Sequence, residues 1–193
     1  MLNSIAKTLT AGVSCLGLAA APALAQSPGP FVYTVVVPGG EFGSAAFLAE
    51  LLATLATAKA FCRATGDSAL QVDCLSERLE AAAGSIPEDT DYDEVRSVLQ
   101  DSSGRLRQLA RQNRDPDRSR VTVSSASDPA ERTNRPLTPV RASAQAAVNR
   151  EAARILDDAA TVLLRSAETA QDRQTQYAQI AAAIDSNKVL LRS

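Results

Sequence analysis

From Val140 to Asn187 the chain contains neither glycine nor proline, and this unbroken stretch constrains the fold more than any other feature. Leu156, Leu163, Ala170, Tyr177, Ile184 and Leu191 recur every seven residues, with Ala152, Ala159, Ser166 and Ile180 at the companion spacing. That pattern predicts a long, alanine-rich amphipathic helix over 140–187, followed by a short tail, with a seam suited to close helix packing. At 1.5 Å per residue it would reach roughly 70 Å, against about 40 Å for a globular domain of this size. Either it breaks, for which the polar stretch "AETAQDRQTQ" is the expected place, or part of its seam projects toward another surface.

Upstream, the punctuation predicts three shorter helices in region 44–113. Leu48, Leu51, Leu52, Leu55, Ala58 and Cys62 share one face of a helix over 44–65, and Gly66 suits a left-handed C-cap. Ser68 and Gln71 read as a capping box that opens a second helix. Its stripe is Leu75, Leu79, Ala82 and Ile86, and Gly84 and Pro87 end it. Tyr92, Val95, Leu99, Leu106 and Leu109 form the inner face of a third helix, from Tyr92 to Asn113. Between it and the last helix, 114–139 is polar and broken by prolines, and reads as a flexible Pro/Ser/Arg-rich linker. Its strand-like piece is Val121-Thr122-Val123.

The beginning of the chain reads as an export signal. Lys7 precedes an apolar core, and "ALA" before Gln26 is a small-x-small cleavage pattern, so 1–25 is expected to be removed. Cys15 lies within it, and Gly12 occupies the place where a lipidation motif needs a leucine-like residue. Segment 26–43 follows as an extended region. "FVYTVVV" at 31–37 reads as a strand, able to pair weakly with 121–123 or to join a partner's sheet. The "PGGEFGS" turn matches neither phosphate-loop pattern. The expected location is the periplasm of a bacterium, with no membrane span after cleavage.

In an oxidising compartment, Cys62 and Cys74 read as a disulfide that staples the first two helices. They lack the C-x-x-C spacing of a redox or zinc pair. The geometric difficulty is that Cys74 lies nearly two turns past the hairpin apex, so the second helix must start late or cross at an angle. The predicted fold class is therefore mainly α: a disulfide-stapled helical hairpin, a third helix and a long C-terminal amphipathic helix, with at most a minor β-strand pair.

Composition narrows function. Histidine and tryptophan are absent, which removes triad-type nucleophile systems and imidazole ligands. A formal net charge of −2 gives no reason to expect nucleic acid as a partner. "EDTDYDE" alternates acids like a calcium loop, but Glu94 stands where the turn glycine belongs and Gln100 where the bidentate glutamate belongs. Acids at a helix start need only the macrodipole to explain them. Arg105, Arg107, Arg111 and Arg114, continued by Arg118 and Arg120, are the densest basic run; they serve a helix C-terminus or form an anion or partner patch.

No catalytic, cofactor-binding or metal residue is assigned. The expected function is a non-enzymatic exported interaction or scaffold protein that self-associates or binds a protein partner. Leu156, Leu163, Ala170, Tyr177 and Ile184 are its expected contact seam. The alternative is a small-molecule or client-protein binder in transport or envelope stress. An enzyme relying on carboxylates such as Glu77 with Glu80 or Glu88 is the least favoured reading.

Overall fold

The computed structural model describes residues 45–125, 128–168 and 171–192. The expected export signal, the expected strand at 31–37, the glycine-rich stretch that follows it and Ala170 lie outside the described residues. Of the described residues, 73% are helical, in five α-helices and three 3₁₀ turns.

Helix α1 (Ala45–Ala64) buries Leu48, Leu51, Leu55, Ala58 and Cys62 of the predicted face, with Phe61 in addition, and leaves Leu52 half-buried. Gly66 ends it with φ of 66°, in the left-handed region that glycine enters without a Cβ clash. The next cap is Asp67 rather than Ser68. Its carboxylate accepts from the Ala69 N–H at 3.0 Å and opens a 3₁₀ turn, Ser68–Leu70. Helix α2 (Gln71–Gly84) therefore starts late, which places Cys74 in its first turns with its Cα 5.7 Å from that of Cys62. The disulfide is formed, and the late start resolves the geometric difficulty.

Helix α3 (Asp93–Gln112) packs extensively on α2. Small residues let the two approach, and the buried Ser76 hydroxyl donates to the Ser103 carbonyl at 2.9 Å. Helix α4 (Gln145–Ala167) and helix α5 (Gln171–Ser186) replace the single long helix, and the break falls inside the polar stretch expected to carry it. A terminal 3₁₀ turn, Asn187–Arg192, brings Lys188 onto Asp157, so α5 runs back along α4. Folding the heptad pattern into a hairpin turns Leu156 and Leu163 on α4, Tyr177 and Ile184 on α5, and Leu191 in the terminal 3₁₀ turn into one core.

Segment 114–141 departs from the flexible linker its composition suggests. It doubles back as a strap, with antiparallel bridges Arg114–Val140, Val121–Leu137 and Ser124–Arg132. Val121 exchanges both backbone hydrogen bonds with Leu137, at 2.8 and 3.2 Å. The 121–123 piece thus pairs within its own segment. Thr133, Leu137, Thr138 and Val140 are buried against the helices.

Candidate functional site

What holds the strap is a polar stripe on α2. Asp73, fully buried, accepts from Nη1 and Nη2 of Arg135 at 2.9 Å each, and from the Thr138 N–H at 2.6 Å. Arg135 also donates to Ser76 Oγ at 3.0 Å. One turn later, Glu77, 2% exposed, accepts from Arg78 and from the Asn134 N–H at 2.7 Å. Such charge-assisted bonds are among the strong ones, and they tie a proline-rich polar segment to α2. The carboxylates offered as a general acid/base pair have partners of their own, although Glu77 and Glu80 line one recess together. Glu77 is engaged on two sides, while Glu80 stands near the surface 3.3 Å from Arg107, and Glu88 is an exposed partner of Arg96.

Two of the "EDTDYDE" acids dock the C-terminal hairpin, Asp91 against α5 and Glu94 against the end of α4. Asp91 meets Arg173 at 3.2 Å, and its carbonyl accepts from the Tyr177 hydroxyl at 3.3 Å. Glu94 accepts from Ser166 at 3.1 Å. Beside them Tyr92 donates to Gln176 at 3.2 Å, and burial, with a smaller push from Tyr177, raises its pKa to about 12. Among the described residues, no three His, Cys, Asp or Glu side chains gather as a metal-holding group.

The arginine run does not form one patch. Arg105 turns to α4, where Asp158 at 2.7 Å, more than Asp101, raises its pKa. Arg107 turns the other way, to Glu80 on α2. Arg111 and Arg114 are exposed, and the Arg114 backbone bridges to Val140. Two residues that share the space near Arg107 and Arg111 come from the strap, Arg120 and Arg135. Arg120 belongs to the same basic run in sequence, but Arg135 carries no local signal that links it.

The expected contact seam is likewise relocated. Leu156, Leu163 and Ile184 are fully buried, and Tyr177 is 2% exposed, all inside the protein's own core. The physical reason is the break after α4: a hairpin lets these four seam residues pack against one another.

An open apolar face lies instead on α1. Ala46, Ala49, Ala53, Ala56 and Ala60 alternate at three- and four-residue spacing, and all are exposed, with Thr57 and Ala64 beside them. Glu50 near the start, and Arg63 at the end, are its exposed charges. Among the described residues α1 is the one helix long and apolar enough to cross a membrane, with a mean hydropathy of 1.5. Its other face is committed to the core and tied to α2 by the disulfide. Comparison with protein-family models, curated proteins and solved structures returned no match.

Proposed function

We propose that this is an exported, non-enzymatic interaction protein that associates with a second copy of itself through the outer face of α1. Export is supported by the signal-like 1–25 segment and by a disulfide suited to an oxidising compartment. A non-enzymatic role is supported by the absence of histidine and by the partners that occupy Asp73 and Glu77.

The observation that carries the reading is the exposed Ala46–Ala49–Ala53–Ala56–Ala60 face. Alanines let two helix backbones approach closely, where dispersion contacts are dense. Charge favours an antiparallel pair. Centred between Ala56 and Thr57, it sets Ala53 against Ala60 and lays the Glu50 end of one helix beside the Lys59–Arg63 end of the other. The opposed helix dipoles favour the same arrangement. A single helix pair about 30 Å long buries less than the ~1,200 Å² of a standard stable interface, so association is expected to depend on concentration.

Sedimentation velocity over a concentration series tests it. The protein should dimerise with rising concentration, and Ala53→Glu or Ala56→Glu should leave a folded monomer. A wild-type protein that stays monomeric throughout would overturn the proposal, as would a dimer indifferent to both substitutions. So would protection of this face in the monomer by the protein's own 31–37 segment, or partition into lipid vesicles without self-association.

A further inference from the structure

Where the strap crosses α3, four arginines line a recess of about 190 Å³, Arg107, Arg111, Arg120 and Arg135, together with Pro136 and Thr138. We infer that this recess is a binding site for a phosphate-type oxyanion, either inorganic phosphate or the phosphoryl end of a small phosphorylated molecule.

The backbone builds the recess. The Val121–Leu137 bridge turns Leu137 into the core. Neighbouring residues of a paired strand face the opposite way, so Pro136, Thr138 and the opposing Arg120 meet the arginines of α3. Arg107 and Arg111 are one helical turn apart, a like-charge spacing that is unfavourable by itself. A helix C-terminus accounts for one or two cations at that end of α3. It does not account for Arg120 and Arg135, which the strap delivers from elsewhere in the chain.

Internal acids balance only part of this charge. Arg135 is held by Asp73, and Arg107 stands 3.3 Å from Glu80. Arg111 and Arg120 have no ion-pair partner among the described residues, and both are exposed. Arg135 keeps a buried Nε–H without a hydrogen-bond acceptor, the Glu80 carboxylate lying 3.6 Å off. Arg111 and Arg120 therefore bring two unneutralised guanidinium groups to the recess. Planar guanidinium forks match tetrahedral oxyanions in pairs of parallel hydrogen bonds.

Size sets the ligand class. The recess has room for a phosphoryl group with several waters or a small polar substituent. A second recess of about 480 Å³ shares Arg107 and Arg111 and adds Gln108 and Gln112, whose amides could meet the polar remainder of a phosphorylated compound.

The test is calorimetric titration of the purified protein with inorganic phosphate and with pyrophosphate, against chloride at matched ionic strength. One saturable site is expected. Arg111→Ala and Arg120→Ala should each weaken it about tenfold or more, as the loss of a charge-assisted bond implies. Both residues are exposed and unpaired, so both variants should melt like wild type. Arg105→Ala, directed at Asp158, should leave binding intact. Heats that follow ionic strength alone, or wild-type affinity in both variants, would overturn the site. Phosphatidylglycerol vesicles separate the ligand sources. Vesicle binding that free phosphate displaces, and that Arg111→Ala abolishes, would make the ligand a lipid phosphodiester and overturn the small-molecule assignment; phosphate binding without vesicle binding supports it.

Discussion

Helix α1 is apolar enough to cross a membrane, yet it leaves Ala46, Ala49, Ala53, Ala56 and Ala60 in solvent. The 114–141 strap is polar and rich in proline and arginine, yet it buries Thr133, Leu137, Thr138 and Val140. Composition predicts the reverse. In α1 the large side chains stand on one face and alanines on the other, so burying the leucines satisfies it and the remaining face costs little to leave wet. In the strap, a few charge-assisted bonds to buried acids fix the backbone, and the apolar residues between them then pack. Position within the hydrogen-bond and packing pattern decides burial in both.

Breaking the strap's anchor should have the largest effect. Arg135→Met leaves the fully buried Asp73 carboxylate without its cation, and removing one partner of a buried pair typically costs about 3–5 kcal/mol. Urea denaturation should show this loss. The double variant Asp73→Leu/Arg135→Met should recover part of it, because no lone charge is then buried, although the Thr138 N–H loses its acceptor. An Arg135→Met protein within 1 kcal/mol of wild type, on the order of a surface substitution, would mean that apolar packing alone holds the strap.

The next effect lies on the α1 side. Replacing both Cys62 and Cys74 with serine opens a link between residues 12 apart, worth about 3 kcal/mol on the chain-entropy model. Hydrogen exchange sharpens the contrast. Amide protection should fall across α1 while the strap amides of Thr138 and Asn134 stay protected, because their acceptors lie on α2. Equal loss in both regions would show that α1 and the strap unfold as one unit.

The helices were legible in sequence because their signals are local. Leucine spacing marked the inner faces of α1, α2 and α3, and Gly66 marked the first stop. The break between α4 and α5 was legible as a place, the polar stretch after Ala167, but heptad spacing alone could not say that the seam would close on itself. The strap was illegible for a different reason. Asp73 and Arg135 are 62 residues apart, and acids on an amphipathic helix ordinarily face water. A trace did exist: Asp73, Ser76, Glu77 and Glu80 recur at three- and four-residue spacing, a polar stripe beside the Leu75–Leu79 stripe. Two stripes mean two buried faces, and the second needed a cationic partner such as Arg135. The phosphate-type recess was half visible, since Arg107, Arg111 and Arg120 sit in the basic run while Arg135 does not.

The smallest effect is expected where the two regions meet. Arg118 of the strap pairs with Asp67 in the turn after α1, and this hydrogen bond, outweighing desolvation, holds the Asp67 carboxyl below its ordinary value of 3.8. A carboxylate whose pKa is lower in the folded state stabilises that state above its unfolded pKa, and the contribution disappears as pH falls through the folded value. Wild type should therefore melt slightly above Arg118→Ala from neutral pH down to about pH 4. Below that the two curves should converge, meeting once Asp67 is protonated in both states. The pair is exposed, so added salt should narrow the gap at neutral pH. Asp67 also accepts from the Ala69 N–H, and Arg118→Ala leaves that cap in place, so the difference between the curves isolates the strap-to-turn contact. A gap that persists unchanged to pH 2 would mean that Arg118 acts by packing rather than by charge, and that the strap touches the α1 end of the molecule without any electrostatic hold on it.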